Sequence, residues 1–374
     1  MNAAYDNAGG RVIAPSLEGV TNDGRRRGRG ALSNATSRFD RDVRSDFDDG
    51  WDGLGELEVF KTEVKDDATR TIITRNTSPD ISFDRSINPY RGCEHGCIYC
   101  YARPTHCYLG HSAGIDFETK LYAKPDAARL LETELSKASY QPKTMALGTN
   151  TDPYQPIERD RGITRSILKV LERTGHPVGI VTKSALVVRD IDILSRMAGR
   201  GLAKVAISIT TLDRRLARAM EPRAATPSKR LDALRQLSEA GIPTAVMVAP
   251  VIPSLTDHEI EQILSAARDG GVREAGYVLL RLPLEVRPLF HEWLAAACPD
   301  RAARVIHLMQ SMHDGQDYRS EFGLRQKGSG PYASQIAARF RLALKRLNLN
   351  EKRHALRTDL FRHPVPQGGQ LSLL

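Results

Sequence analysis

From residue 145 onward, short apolar runs alternate with amphipathic ones, and no other feature of the chain limits its fold so tightly. Met145-Ala146-Leu147, Val178-Gly179-Ile180-Val181, Val205 to Ile209, Thr244 to Val251 and Tyr277 to Leu280 read as strands. Between them, apolar residues recur at helical spacing: Ile163, Ile167 and Leu171; the stretch from Val187 to Met197; Leu231, Leu234 and Leu237; Ile260, Ile263 and Leu264. Thr226-Pro227 suits a cap followed by a first helical position, and Thr256-Asp257-His258-Glu259 has the pattern of a capping box. Upstream, Ile81, Phe83 and Ile87 alternate with polar residues as a first strand, and Ala127, Leu131 and Leu135 form a helical stripe after Lys124-Pro125. Strands alternating with helices imply an α/β fold with a parallel sheet and right-handed crossovers. Six such units can curl into a partial (β/α)6 barrel, and eight do not fit. A chain of 374 residues accommodates one large domain of this kind with extensions.

The first strand leads directly into Asn88-Pro89-Tyr90-Arg91-Gly92-Cys93-Glu94-His95-Gly96-Cys97-Ile98-Tyr99-Cys100-Tyr101-Ala102, where three of the five cysteines lie close together. Thiolates separated by three and then two residues can turn inward on one metal centre, and Gly92 and Gly96 give the loop the backbone freedom it needs. Four thiolates would close a structural zinc site or an electron-transfer cluster, whereas three on a four-iron cluster leave one iron open to a substrate. His95, His106, Cys107 or His111 could instead complete a zinc site, although zinc spacings normally come as two separated pairs. An odd cysteine count and a start without a secretory pattern argue against disulfides and for a reduced, cytoplasmic setting.

The spacing Cys93-x3-Cys97-x2-Cys100, with aromatic Tyr99 before the last cysteine, resembles the cluster loop of radical S-adenosylmethionine enzymes. The wider wording from Asn88 to Arg103 resembles the spore photoproduct lyase-like, "DNA repair photolyase" branch. The resemblance implies a partial TIM-like barrel of the radical S-adenosylmethionine type. It implies a [4Fe-4S] cluster on Cys93, Cys97 and Cys100, and S-adenosylmethionine bound at the C-terminal strand ends. It implies reductive cleavage of that cofactor to a 5′-deoxyadenosyl radical, in a lyase- or transferase-like reaction that draws its electron from a flavodoxin or ferredoxin. The family position after the second strand holds the cofactor's amino group, which makes Thr149, Asn150, Thr151 and Asp152 candidates beside Tyr99. Lys183 and Ser208, at the ends of the third and fourth strands, fall where the family binds the cofactor's carboxylate and ribose; lysine carries the charge a carboxylate requires. Met220-Glu221-Pro222-Arg223 resembles a charged feature of the branch, and Ser254 stands in the run Pro250 to Asp257 where its sequences commonly have glycine. The resemblance assigns no hydrogen donor to Cys107 or Cys298. It suggests DNA or RNA as substrate. The competing class is a nucleic-acid-binding or interaction protein with a structural zinc or iron–sulfur site.

The remaining stretches frame this core, taken as residues 81–290. Residues 1–55 mix Gly, Asn, Ser, Asp and Arg with few large apolar groups and read as a basic disordered tail. Its Arg25, Arg26, Arg27 and Arg29, within a chain of net charge +9, suit a phosphate-tracking arm. On that reading, deleting residues 1–50 leaves cofactor cleavage intact. Val59, Phe60 and Val64, then Thr71 to Thr74 across Lys65-Asp66-Asp67, predict a β-hairpin lead-in over 56–80. Residues 291–374 read as a mostly helical extension covering the open barrel, with Ala303, Ile306 and Met312, then Ile336, Phe340 and Leu344, at helical spacing. The longest nearly apolar run, Ala245 to Pro253, is too short to span a bilayer, so no membrane association is expected.

Overall fold

The computed structural model describes residues 28–40 and 59–364. Its first elements are β1 (Glu63–Asp66), β2 (Ile73–Arg75), β3 (Arg85–Ile87), β4 (Tyr90–Arg91), α1 (Asp116–Thr119), β5 (Lys120–Ala123) and α2 (Ala127–Leu135). The repeating part follows as β6 (Met145–Leu147), α3 (Glu158–Arg161), α4 (Ile163–Thr174), β7 (Val178–Thr182), α5 (Ile191–Gly199), β8 (Ala203–Ser208), α6 (Arg214–Met220), α7 (Pro227–Glu239), β9 (Thr244–Val251), α8 (Ile260–Asp269) and β10 (Glu274–Leu279). Three helices end it: α9 (Val286–Ala297), α10 (Pro299–Ser311) and α11 (Gly330–Arg346).

Seven strands form one sheet in the order β10-β9-β8-β7-β6-β3-β2. From β3 to β10 every pair is parallel, and β2 lies antiparallel at the edge beside β3. Parallel strands neighbouring one another in sequence order describe the wall of a barrel rather than a doubly wound sheet. Among the described residues β10 pairs only with β9, so the wall is open between β10 and β2. The expected partial (β/α)6 barrel is the fold observed. Its core forms where strand and helix patterns meet: Val205 and Ile207 of β8 are fully buried, as are Ile167, Leu168 and Leu171 of α4. Each such side chain contributes roughly 1.5–3 kcal/mol relative to exposure. Among the described residues no helix is long and apolar enough to cross a membrane.

Three local expectations do not hold. The hairpin over 56–80 is absent, because β1 pairs in parallel with β5 in a separate sheet, β1-β5-β4, while β2 joins the barrel wall. Lys65-Asp66-Asp67 continues along β5, with Asp67 N donating to Ala123 O at 2.7 Å. The Ile72 and Ile73 amides bind the Glu134 carboxylate of α2 at 2.6 and 3.1 Å. The capping box before α8 is not formed either. Thr256 Oγ1 accepts from Ile252 N at 2.9 Å, and the Glu259 carboxylate accepts from Thr211 Oγ1 at 2.5 Å and Leu212 N at 3.3 Å, tying the turn to the loop after β8. Finally, residues 28–40 fall in the stretch expected as a solvated tail, yet Ala31 is fully buried and Arg29 donates to Glu118 O and Phe60 O, both at 2.9 Å. Arg25, Arg26 and Arg27 lie outside the described residues. The C-terminal helices pack beside β10, where Tyr277 meets Phe340 with ring centroids 4.7 Å apart, and Gly330-Pro331 opens α11.

Candidate metal centre at the barrel mouth

Parallel strands send their following segments to one end of the barrel, so the loops after β3, β6, β7, β8 and β10 converge there. The loop after β3 carries the three cysteines. Gly92 and Gly96 hold left-handed φ values of 73° and 65°. A side chain at Gly92 would press on Leu121 at 2.6 Å and on the Phe117 carbonyl at 2.9 Å. Gly96 N donates to Cys93 O at 3.3 Å, Cys100 N to Cys97 O at 3.1 Å and Arg103 N to Cys100 O at 3.2 Å. These successive turns fold the cysteines onto a single loop.

Arg103 fixes that loop from beneath. Its guanidinium donates to Cys97 O at 2.9 Å, Gly96 O at 3.1 Å, Ala113 O at 3.0 Å, Gly114 O at 2.9 Å and Glu118 Oε1 at 2.6 Å, and both Arg103 and Glu118 are fully buried. The Glu118 carboxylate also accepts from Gly30 N at 2.8 Å and Ala31 N at 2.9 Å. Gly30 crosses the loop so closely that a Cβ there would lie 1.9 Å from Gly96 O. Residues 28–34 therefore act as a strap over the cysteine loop, secured further by the reciprocal bonds between Asn34 and Asp116 at 3.0 and 2.9 Å.

The loop after β6 is stitched to the same segment. Gln155 accepts from Glu94 N at 2.8 Å and donates to Gly92 O at 3.2 Å; Thr151 Oγ1 donates to Tyr90 O at 2.9 Å; Asn150 N donates to Asn88 Oδ1 at 3.1 Å; Thr149 O accepts from the Tyr101 hydroxyl. Asp152 accepts from Tyr154 N at 2.9 Å, Thr182 Oγ1 at 2.7 Å and Lys183 N at 2.7 Å, and lies 3.3 Å from His95 Nδ1. Burial alone would raise its pKa, but the His95 imidazole, the Lys183 amide and the Thr182 hydroxyl together bring it down to about 2. The hydroxyl of Thr151 and both oxygens of Asp152 are thus already engaged in joining three strand ends. In contrast, the Lys183 ammonium makes no hydrogen bond or ion pair among the described residues and sits 5.6 Å from the Tyr99 ring centroid.

After β8 the buried residue is Glu221. It accepts from the Tyr99 hydroxyl, from Thr210 Oγ1 at 2.7 Å and from Arg230, whose guanidinium also donates to Ser208 O at 3.0 Å. The charged pair noted at Glu221 and Arg223 is divided, since Arg223 pairs with Glu94 at 3.0 Å. Arg230 carried a usable signal: it shares a helical face with Leu234 and Leu237, where a charge implies a buried partner. Ser254 adopts φ 62°, the left-handed conformation that glycine takes readily.

All five cysteines are free thiols, and burial pushes those of Cys93, Cys97 and Cys100 up. Among the described residues no three His, Cys, Asp or Glu side chains are gathered as a ready ligand set, so fit to a metal rests on donor chemistry. Three thiols on one clamped loop suit an iron–sulfur cluster with an open position. The side chains weighed as a fourth ligand have other neighbours: His95 faces Asp152, His111 Nε2 meets the Tyr122 hydroxyl at 2.7 Å, and His106 packs edge-on to Phe117 at 5.6 Å. Cys107 is buried beside the strap, its carbonyl accepting from Ser37 Oγ at 3.4 Å.

Residues 87–267 match the family model of the Radical SAM superfamily. An uncharacterised protein of Mycobacterium tuberculosis is 38% identical over 230 residues, covering 61% of this chain and 68% of its own. A protein of Pseudomonas phage M6 named radical SAM Nalpha-GlyT isomerase is 25% identical over 173 residues, 46% of this chain and 34% of its own. Among solved structures, a spore photoproduct lyase mutant with bound AdoMet and dinucleoside spore photoproduct superposes with a TM-score of 0.54 at 16% identity, covering 76% of this chain and 78% of that one. Cysteine loop, barrel wall, family match and fold likeness agree: the chain belongs to the radical SAM superfamily.

Proposed function

We propose that the protein is an enzyme that cleaves S-adenosylmethionine reductively at a [4Fe-4S] cluster held by Cys93, Cys97 and Cys100, and that its substrate is nucleic acid. The observation carrying the first part is the clamped three-cysteine loop beside the unpaired Lys183. A cluster held by Cys93, Cys97 and Cys100 would supply the single electron for reductive cleavage of the cofactor's sulfonium, and with it the 5′-deoxyadenosyl radical chemistry that abstracts hydrogen from a substrate C–H bond. A flavodoxin or ferredoxin is the donor class the family implies.

The chain's own residues bind and orient. Lys183 offers an unpaired ammonium to the cofactor's carboxylate, and Asn150, whose backbone is fixed on the neighbouring rim by Asn88, offers its side-chain amide to the amino group. Tyr99, fixed by Glu221 and Thr210, gives the cofactor an immobile neighbour at the third cysteine. Thr149, Thr151, Asp152 and Ser208 shape the rim through the bonds described above. Lys183→Ala is expected to weaken S-adenosylmethionine binding about tenfold with iron content unchanged, since it removes one charge-assisted contact. Asp152→Ala is expected to reduce both, since it also frees His95 of the cysteine loop. A Lys183→Ala titration identical to the parent's removes that residue from the site.

Support for nucleic acid comes from the net charge of +9 and from one structural neighbour. That neighbour, a spore photoproduct lyase mutant, holds a dinucleoside spore photoproduct beside AdoMet. Adding DNA or RNA to the reduced, cofactor-supplied enzyme is expected to raise 5′-deoxyadenosine release several-fold and to change the mass of a recovered nucleoside. Release that responds to neither polymer contradicts the substrate assignment and leaves the cofactor chemistry standing.

A further inference from the structure

The segment after β10 leaves the barrel mouth beside the cysteine loop, and its contacts gather aromatic rings and guanidinium groups there. Arg281 lies with its guanidinium carbon 5.0 Å from the Tyr101 ring centroid and 5.9 Å from that of Tyr318. It makes no ion pair among the described residues; one terminal nitrogen donates to the Tyr318 hydroxyl at 3.3 Å, while its Nε is buried without a hydrogen-bond partner. A guanidinium left this way has a desolvation cost that an anionic ligand would offset. Two residues further, Pro283 and Leu284 line a groove of about 770 Å³ with Tyr318 and Arg319, and Leu284 is 62% exposed. Glu285 then binds Arg38 at 2.5 Å, and Arg38 lies 4.6 Å from the Phe39 ring centroid and 5.3 Å from that of Tyr108. Phe39 and Tyr108 are 55% and 72% exposed with centroids 5.1 Å apart.

Large aromatic faces left in water beside fixed arginines are what unpaired bases stack on, because every base has a π-face and the guanidinium stacks as well. Four residue steps from Arg281 to Glu285 span at most roughly 14 Å, so the Arg281 guanidinium and the ring pair fall within reach of one short strand. Tyr108 follows the cysteine loop and Glu285 follows the last strand, so the Arg38–Glu285 pair and the rings beside it join two of the segments that meet at the barrel mouth.

We propose that Phe39, Tyr108 and Arg38 form a stacking platform for unpaired bases of a nucleic-acid strand approaching the barrel mouth, with Arg281 contacting a phosphate of the same strand. The inference rests on nucleic acid being the substrate and specifies its form: single-stranded, or locally unpaired.

The test uses the full-length, cluster-loaded protein and a fluorescein-labelled single-stranded oligodeoxynucleotide, read by anisotropy across a salt series beside the corresponding duplex. The parent is expected to prefer the single strand. The double variant Phe39→Ala/Tyr108→Ala is expected to bind it about tenfold or more weakly with an unchanged salt slope, because stacking is lost and phosphate contacts are kept. Arg281→Gln is expected to flatten the slope by about 0.7, the contribution of one phosphate contact on a single strand. Iron content and melting temperature equal to the parent's establish that the variants are folded. Parental affinity in the double variant, or a parent that prefers duplex, overturns the platform while nucleic acid remains the substrate. A parent that binds neither polymer overturns both proposals.

Discussion

Replacing Cys93, Cys97 or Cys100 singly by alanine is expected to remove most of the iron and to abolish 5′-deoxyadenosine formation, a loss larger than any other substitution should cause. A cluster held by three thiolates has no spare thiolate ligand, and of the neighbouring histidines His95 and His111 are engaged by Asp152 and Tyr122. Cys107→Ala is the control. That thiol is buried near Ser37, where burial raises its pKa, and a buried free cysteine behaves as a small hydrophobe. Iron content by colorimetric assay and cofactor cleavage by chromatography are expected to be retained in Cys107→Ala and lost in the other three. Loss of metal in Cys107→Ala, with zinc in preparations of the parent, would favour a closed zinc site.

The second large effect concerns the clamp beneath the loop. Glu118→Ala leaves the fully buried Arg103 guanidinium without its carboxylate and the Gly30 and Ala31 amides without their acceptor. Breaking one side of such a buried pair costs about 3–5 kcal/mol, which urea denaturation should register as a lower midpoint. Iron retention should fall with it, because the same guanidinium holds the Cys97 and Gly96 carbonyls. The strap reverses the expectation that deleting residues 1–50 spares catalysis. Deletion through residue 40 removes the Gly30 and Ala31 donors, and Gly30→Ala places a methyl against Gly96 O. Both are expected to lower iron content, whereas a deletion ending at residue 27 leaves every strap contact named here in place. Parental iron in Gly30→Ala would remove the strap from the account.

What the sequence revealed and what it concealed differ by the range of the interaction. The strands from Met145 to Leu279 and most helices between them follow local apolar spacing and were legible from it, although β10 begins three residues before Tyr277, α5 begins four after Val187, and α6, with little apolar periodicity, was not foreseen. The cysteine loop was legible for the same reason, since ligand spacing and left-handed glycines are local. The clamp was not: Arg103 and Glu118 are fifteen residues apart and meet Gly30 from much further away. Polar side chains also changed partners in ways spacing cannot show. Glu259 reads as a capping residue but serves the loop after β8, and Lys65-Asp66-Asp67 reads as a turn but follows β5. Asp152 reads as a ligand for the cofactor's amino group, yet both its oxygens are bound by neighbouring strand ends. Lys183, identified by family position, is left with a free ammonium at the mouth, and only the structure distinguishes it from an ordinary surface lysine.

Cofactor cleavage without substrate tests the central claim most directly. The protein is reconstituted anaerobically with iron and sulfide, reduced with dithionite, given S-adenosylmethionine, and assayed for 5′-deoxyadenosine and methionine. The account predicts both products in equal amounts from the parent and neither from Cys97→Ala. Intact cofactor after reduction of a parent that carries tightly bound zinc and no iron would contradict it.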